Sequence, residues 1–233
     1  LKEYEKTDRV NWKRLKLIAC GADTLHESTI DAWERRTGSK IFEGYGMTET
    51  TAISHGSPIQ RPKRGSFGVP LPGMKAAIIE HEGTNFLPPG EVGELILNGP
   101  NIMQGYWKRE EGTRESLIDI DGEKWLRTGD LVSMDEEGYF HFFDRKRDLI
   151  KYKGYSVFAR HVEEVLFKHP QIKAAGVVGV PDPKVGQFIK AYVVLESEAR
   201  GKISEEEIIN FCKENLAHYK VPRIIEFRGE LPK

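Results

Sequence analysis

The segment Glu43-Gly44-Tyr45-Gly46-Met47-Thr48-Glu49-Thr50 follows a short predicted strand at Ile41-Phe42. Glycines at the exit of a strand let backbone amides approach a ligand closely. Thr48 adds a hydroxyl donor, Glu49 a carboxylate suited to a hard cation such as Mg²⁺, and Tyr45 a flat face for stacking. The segment is therefore a candidate ligand-binding site. The alternative is an ordinary glycine-containing turn with a helix N-cap at Thr48.

The residues before this segment alternate strand and helix signals, which is typical of α/β organisation. Residues 15–20 form an apolar run that predicts a strand, and residues 25–36 place apolar side chains at helical spacing. Gly38 follows as the predicted helix C-cap. Residues 57–143 are different, because prolines separate short apolar runs there, and this pattern predicts a β-rich subdomain.

A third pattern begins after the charged stretch that starts at Asp144. A helix is predicted to end at His169-Pro170, and strands are predicted at 174–180 and 189–195. Ser204 and Glu207 form a capping box that opens another helix. The segment is predicted to fold as a small α+β domain.

Composition excludes several broad classes. Among 233 residues, 35 Lys and Arg balance 36 Asp and Glu, which argues against a protein that coats nucleic acid. An aromatic content of 10% argues against disorder. Cys20 and Cys212 lie in apolar runs, so buried thiols are predicted. No secretory signal and no apolar run of about 20 residues is visible, so a cytoplasmic location without a membrane span is expected.

Generic catalytic motifs are absent from the sequence. There is no G-x-x-x-x-G-K-[ST] phosphate loop, no G-x-S-x-G nucleophile elbow and no H-E-x-x-H zinc helix. Gly44-Tyr45-Gly46 begins like a dinucleotide fingerprint, but Glu49 occupies the position of the last glycine. A serine hydrolase, a zinc protease and a dinucleotide-binding domain are therefore poor fits.

The segment 43–50 resembles a motif of the AMP-forming acyl-CoA synthetase, luciferase and peptide-synthetase adenylation superfamily. Further resemblances follow in the order of that superfamily. They are Gly93-Glu94-Leu95 with Gly99-Pro100 and Gly105-Tyr106-Trp107, then Trp125-Leu126-Arg127-Thr128-Gly129-Asp130, and then the segment from Asp144 to Tyr155. Ordered matches over most of the chain make coincidence negligible.

The resemblance implies a nucleotide site. Tyr45 would flank adenine, Thr48 would contact phosphate, Glu49 would hold Mg²⁺, Asp130 would accept the ribose hydroxyls, and Arg145 would assist at the ribose or phosphate. Thr48 and Glu49 are also implied to be catalytic. The implied nucleotide-binding residues are Gly21, Ala22, Glu43, Gly44, Tyr45, Gly46, Met47, Thr48, Asp130, Phe142 and Arg145. The sequence departs from many members at Cys20-Gly21-Ala22-Asp23, where they carry a second glycine and a proline.

The resemblance also implies that residues 1–143 are the C-terminal part of a large domain, divided into an α/β segment (1–56) and the β-rich subdomain (57–143). A hinge at 144–151 would contain Arg147, and a small mobile domain would occupy 152–233. Lys151 would be catalytic in thioester formation, with Gly154 and Tyr155 near coenzyme A. The alternatives for the basic run are a solvated face or a nucleic-acid patch. Against a patch, Asp144 and Asp148 interleave with the cations, and no aromatic stacking platform of the single-strand-binding type accompanies them.

The implied activity is ATP-dependent conversion of a carboxylic acid to acyl-AMP and then acyl-CoA, with ATP, Mg²⁺ and coenzyme A required. A medium- or long-chain fatty acid is the favoured substrate, and peripheral membrane contact is left open. The alternatives are an aryl or amino-acid adenylating enzyme and a non-catalytic nucleotide-binding module. The family's Pro-Lys-Gly phosphate loop is expected upstream of Leu1. Its adenylation lysine is expected beyond Lys233, so this chain alone is expected to be nearly inactive in adenylate formation.

Overall fold

The computed structural model describes residues 4–22, 25 and 27–231. The chain forms two compact units, one up to Phe142 and one from Phe143 onward. The first unit is mixed α/β and β-rich, and the second is α+β, as the sequence predicts. The hinge at 144–151 and its motion stay predictions.

A small sheet in the first unit carries the segment 43–50. Its strands, in the order β1-β2-β3-β4, are Ala19–Cys20, Phe42–Tyr45, His55–Gly56 and Val69–Pro70. β1 and β2 run parallel, and helix α1 (Glu27–Thr37) connects them. Gly38 follows α1 with a φ of +67°, as predicted for its C-cap. The strand predicted over 15–20 is much shorter, because only Ala19 and Cys20 have strand partners in β2.

An antiparallel sheet forms the β-rich part of the first unit. It contains β5 (Lys75–Ile79), β6 (Gly93–Asn98), β7 (Leu117–Ile120), β8 (Glu123–Met134) and the first half of β9 (Phe140–Arg145), with helix α2 (Glu110–Ser116) before β7. The strand order is β5-β6-β8-β7, and β9 also pairs with β8. Buried side chains from these strands and from Phe67 form one core cluster: Phe67, Ile78, Leu95, Leu97, Leu126, Val132 and Phe140.

The second unit is built on a five-stranded sheet with two helices. Its elements are β10 (Ile150–Tyr152), β11 (Tyr155–Val157), α3 (Ala159–Leu166), β12 (Ile172–Asp182), β13 (Gly186–Leu195), α4 (Glu205–Asn215) and β14 (Ile224–Phe227). The order is β11-β10-β13-β12, and β14 pairs in parallel with β13. α3 ends at Leu166, before the predicted end at His169-Pro170. Short 3₁₀ turns occur at Glu5–Arg9, Trp12–Arg14, Thr48–Thr50, Lys146–Asp148, Ser197–Ala199 and His218–Lys220.

Local sequence signals are confirmed at several places in this fold. Ser204 Oγ accepts the Glu207 N–H at 3.2 Å, and the Glu207 carboxylate accepts the Ser204 N–H at 2.7 Å, so the capping box is formed. Cys212 is fully buried, and burial raises the pKa of its thiol to about 11. Cys20 is only half-buried, so the prediction of a buried thiol there was wrong. In the described part of the chain, no helix is both long and apolar enough to cross a bilayer.

Candidate functional site

The segment 43–50 leaves β2 through a tight turn that only glycine at position 46 permits. A Cβ added to Gly46 would lie 1.7 Å from the Ala52 carbonyl oxygen, far inside any real contact. Beyond the 3₁₀ turn Thr48–Thr50, Thr51 and Ala52 have φ values of +51° and +87°, in the left-handed region that side chains disfavour. Met47, not Thr48, is the residue that caps this turn, so the N-cap interpretation of Thr48 was wrong. Strain concentrated in a turn of this kind is typical of functional loops.

Tyr45 and Asp130 are brought together from two motifs that are far apart in the chain. The Tyr45 hydroxyl donates to Asp130 Oδ2 at 2.6 Å. The Tyr45 ring also packs on Phe67, with centroids 4.7 Å apart. Thr128 Oγ1 accepts the Asp130 N–H at 3.1 Å, which fixes the backbone that carries the carboxylate. An aromatic face and a half-buried carboxylate therefore lie side by side.

The strand segment before Asp130 is held by a buried carboxylate. Glu94 on β6 is 2% exposed, forms an ion pair with Arg127, and its Oε1 accepts the Gly129 N–H at 3.3 Å. Thr128 Oγ1 donates to the Leu95 carbonyl oxygen at 2.8 Å. The β6–β8 register shifts at this point, so β8 bends where Asp130 must be presented. Sequence reasoning gave Glu94 no role, because only the cross-strand pairing shows its partners.

Glu49 and Thr48 lie on the turn itself. Thr48 is exposed, and Glu49 is half-buried with its Oε1 accepting the Tyr106 hydroxyl proton at 2.7 Å. The described residues contain no cluster of three or more His, Cys, Asp or Glu side chains that would hold a metal alone. Mg²⁺ is commonly bound through one or two carboxylates together with substrate phosphates. The oxygen donors present therefore fit Mg²⁺ delivered with a nucleotide.

The remaining predicted nucleotide-binding residues of the first unit surround the same turn and core. A Cβ on Gly21 would lie 2.8 Å from the Gly44 carbonyl oxygen, so the β1 and β2 exits are in close contact. Ala22 is exposed with a φ of +73°, and Asp23 lies outside the described residues. Glu43 is half-buried on β2. Met47 and Phe142 pack against the core cluster that also receives Tyr45.

A buried histidine beside the site was not predicted. His55 on β3 is fully buried, its ring lies 4.8 Å from that of Phe140 and 5.8 Å from that of Tyr45, and its Nδ1 is 3.0 Å from Ser54 Oγ. Burial lowers the pKa of His55 to about 3, so the ring is neutral at physiological pH. His55 therefore acts as an aromatic core residue behind Tyr45. No local sequence signal distinguishes it from a surface histidine.

The basic residues predicted as hinge and catalytic groups belong to the second unit. Arg147 is exposed, and its Nε lies 3.7 Å from Asp148 Oδ1, so the two side chains form an ion pair. Lys151 on β10 is exposed, and its Nζ donates to Ser156 Oγ at 3.1 Å. Arg145 is also exposed. These cations lie on a solvated surface.

Asp144 ties the start of the second unit to helix α3. Its carboxylate accepts the backbone N–H of Arg145 at 2.8 Å and that of Arg160 at 3.2 Å. The carboxylate is buried, and this burial raises its pKa although both hydrogen bonds act in the opposite direction. Asp144 is therefore a structural residue at the beginning of the basic run.

Gly154 and Tyr155 form the end of the β10–β11 hairpin. Lys153 and Gly154 have φ values of +49° and +83°, as a tight two-residue turn requires. Tyr155 is 56% exposed and stacks on Tyr219, with centroids 4.6 Å apart and planes at 22°. Tyr219 comes from the 3₁₀ turn His218–Lys220, so a pair of aromatic rings lies next to the basic run. Such a platform suits a flat heteroaromatic group.

Two family models match the chain. Residues 2–107 match the model described as AMP-binding enzyme, and residues 161–233 match the model described as AMP-binding enzyme C-terminal domain.

Individual relatives give the same result. The chain is 42% identical to a long-chain-fatty-acid–CoA ligase of Bacillus subtilis over 94% of its length, and 41% identical to a 2-succinylbenzoate–CoA ligase of Bacillus cytotoxicus, also over 94%. A solved structure of ATP-bound MatB from Rhodopseudomonas palustris superposes with a TM-score of 0.83 at 31% identity over 93% of the chain. The chain spans 38%, 44% and 42% of these three proteins.

Proposed function

The chain belongs to the AMP-binding enzyme family. We propose that it carries the nucleoside site of an acid–thiol ligase, an enzyme that activates a carboxylic acid with ATP and passes the acyl group to coenzyme A. The first unit would bind the adenosine part of ATP and of the acyl-adenylate. The second unit would serve thioester formation.

The 2.6 Å hydrogen bond between Tyr45 and Asp130 carries the proposal. Adenosine offers a flat base and a pair of ribose hydroxyls a few ångströms apart. An aromatic ring next to a carboxylate matches this arrangement, because the ring stacks on the base while the carboxylate accepts hydrogen bonds from the two hydroxyls. The contact also means that each side chain limits the rotation of the other before the ligand arrives.

Glu49 is the proposed ligand for Mg²⁺, and Thr48 the proposed hydroxyl donor to phosphate. When bound, Mg²⁺ would neutralise phosphate charge and so reduce the repulsion between ATP and a carboxylate. The exposed position of Thr48 on the strained turn lets its hydroxyl reach a phosphate oxygen outside the fold. The turn therefore supplies one anionic and one neutral oxygen at the same place.

The proposed reaction has two steps. A substrate carboxylate oxygen attacks the α-phosphorus of ATP and expels pyrophosphate, giving acyl-AMP. The sulfur of coenzyme A, having lost its proton, then attacks the acyl carbon and expels AMP. The protein forms no covalent bond in either step, so its contribution is positioning and electrostatic stabilisation.

For the second step, we propose roles for exposed residues of the second unit. Lys151 would supply positive charge during thioester formation, and Gly154 and Tyr155 would contact coenzyme A. Arg147 would lie at the hinge about which the unit turns between steps, and Arg145 would assist at the ribose or phosphate. Their exposure supports these roles, since each side chain is accessible to a ligand.

A fatty acid is the favoured acyl substrate, and an aryl acid is the second candidate. The long-chain-fatty-acid–CoA ligase and the 2-succinylbenzoate–CoA ligase are almost equally identical to this chain, at 42% and 41%. Identity alone therefore does not separate the two classes.

A thermal-shift series with non-hydrolysable acyl-adenylate analogues tests the proposal. A ligand that binds only the folded state raises the melting temperature according to its affinity. We expect AMP to stabilise the chain, an analogue with a decanoyl or palmitoyl group to do so more strongly, and an aryl analogue to match AMP.

Stronger stabilisation by the aryl analogue would replace the fatty acid with an aryl acid as substrate. If AMP and every analogue leave the melting temperature unchanged, the proposal of a nucleoside site is contradicted.

A further inference from the structure

The strained turn of the first unit is fastened to the loop 101–106 between β6 and α2. The Asn101 side-chain amide donates to the carbonyl oxygens of Thr50 at 2.8 Å and of Ile53 at 3.0 Å. In return, the Thr51 hydroxyl donates to the Asn101 carbonyl oxygen at 3.0 Å. The loop therefore braces the part of the turn where φ is positive.

The same loop holds Glu49 at two points. The Met103 N–H donates to the Glu49 carbonyl oxygen at 2.8 Å, and the Tyr106 hydroxyl donates to Glu49 Oε1 at 2.7 Å. The first contact fixes the backbone of Glu49, and the second fixes its carboxylate group. In the described part of the chain, Tyr106 is the residue that gives the Glu49 carboxylate a defined orientation.

Tyr106 is itself held by helix α2. Thr113 Oγ1 accepts the Tyr106 N–H at 2.9 Å and donates to the Arg109 carbonyl oxygen at 2.8 Å. A Cβ on Gly105 would lie 2.7 Å from Thr113 Cγ2, so the chain approaches the threonine closely just before Tyr106. The Thr113 contact therefore fixes the backbone of Tyr106, whose hydroxyl donates to Glu49.

We propose that Tyr106 is a positioning residue for Glu49: by holding Oε1, it directs the second oxygen of the carboxylate toward the magnesium ion that accompanies ATP. The inference rests on the proposed function and adds to it a residue that need not touch nucleotide or metal. Hydrogen-bond partners of metal-binding carboxylates typically change metal affinity by 10- to 100-fold. The rigid ring of tyrosine reaches Glu49 from a separate element, so its effect is separable from folding of the turn.

The test compares Tyr106→Phe with Tyr139→Phe. Each variant removes one hydroxyl and keeps the ring, and the Tyr139 hydroxyl donates at 2.6 Å to the Arg61 carbonyl oxygen, a contact with no predicted site residue. Binding of ATP is measured by calorimetry with excess Mg²⁺ and with EDTA, and binding of AMP with EDTA. In Tyr106→Phe we expect the strengthening of ATP binding by Mg²⁺ to fall about tenfold. We expect AMP to bind Tyr106→Phe as tightly as it binds the unmodified chain. We expect Tyr139→Phe to change neither AMP affinity nor the effect of Mg²⁺ on ATP affinity.

Two results would contradict the positioning role of Tyr106 and leave the proposed function standing. One is an unchanged effect of Mg²⁺ on ATP affinity in Tyr106→Phe. The other is an equal loss of AMP and ATP affinity, which would indicate a structural role. A cycle with Glu49→Gln is the second check, because Tyr106→Phe should have no further effect on the magnesium dependence once Glu49 is replaced. An additional tenfold loss there would also overturn it.

Failure of the proposed function would give a different result, because the hydrogen bond between Tyr106 and Glu49 is measured without nucleotide. With ¹³Cζ-labelled tyrosine, the Tyr106 resonance should shift in Glu49→Gln, whereas the Tyr139 resonance should not. If the Tyr106 resonance shifts, and Mg²⁺ nevertheless adds nothing to ATP binding by the unmodified chain, the magnesium site and hence the proposed function are wrong. If it does not shift, the positioning contact is wrong.

Discussion

Replacing Gly46 with alanine should destabilise the first unit and disrupt the nucleoside site together. The added Cβ would lie 1.7 Å from the Ala52 carbonyl oxygen and 2.6 Å from the Ile53 Cα, whereas ordinary contacts begin at 3.4 Å. Both obstacles are backbone atoms, so no side-chain rotation relieves the clash. The two chain segments would have to separate by about 1.7 Å.

The expected cost follows from this displacement. Overpacking in a well-packed region costs about 1–3 kcal/mol, and more when backbone must move. The turn opposite Gly46 already contains two non-glycine residues with positive φ, so it has little freedom to adjust. We therefore expect a loss of about 3 kcal/mol, which for a unit of this size lowers the melting temperature by roughly 10 °C.

Tryptophan fluorescence follows this unit selectively. All four tryptophans precede Phe143, so their signal reports only on the first unit. Gly56→Ala is the matched control on the neighbouring strand β3, because its Cβ would meet Leu71 Cδ2 at an ordinary 3.5 Å. The control should melt within about 2 °C of the unmodified chain. A Gly46→Ala chain that melts with the control and still binds AMP would refute the reasoning.

Three further predictions concern two residues that had no role in the sequence-based predictions, Glu94 and His55, and one capping residue that was predicted, Ser204. Glu94→Gln leaves Arg127 beside a neutral partner in a largely buried site and should lower the free energy of unfolding by about 3–5 kcal/mol, measured in urea by tryptophan fluorescence. The further change Arg127→Met should recover part of this loss, and no recovery would contradict the ion-pair explanation. The pKa of His55 is about 3 in the folded chain and about 6.5 in the unfolded chain, so between these pH values only the unfolded state binds the proton, and the free energy of unfolding falls as the pH falls from 6.5 toward 3. In His55→Leu the free energy of unfolding should fall less over this pH range, and an equal fall in both chains would refute the assignment. Ser204→Ala removes the capping box of α4 and should lower the free energy of unfolding of the second unit by about 1 kcal/mol, measured by circular dichroism, while the tryptophan transition of the first unit stays unchanged.

The sequence predicted those parts of the fold that depend on neighbouring residues. The capping box at Ser204 and the end of α1 at Gly38 are local features, and both form as expected. The predicted strands at 174–180 and 189–195 likewise lie within β12 and β13. The run 15–18 failed as a strand because pairing with β2 begins only at Ala19.

Much of the site depends on contacts between distant residues, which a single sequence does not show. Motif resemblance identified Tyr45 and Asp130, but the hydrogen bond that joins them exists only in the folded chain. Glu94 and Tyr106 lie inside recognised motifs, yet their contacts with Arg127 and Glu49 are visible only in the folded chain.

The central claim is that Tyr45 and Asp130 form a site for adenosine, and discrimination between AMP and 2′,3′-dideoxy-AMP tests it most directly. Hydrogen bonds to a charged group are worth about 1.5–3 kcal/mol, so the unmodified chain should bind AMP at least tenfold more tightly than the dideoxy analogue in calorimetry. Asp130→Asn should lose most of this preference, whereas Asp119→Asn, a change of an exposed carboxylate on β7 of the same unit, should keep it. Equal affinity of the unmodified chain for both nucleotides, or an undiminished preference in Asp130→Asn, would contradict the account.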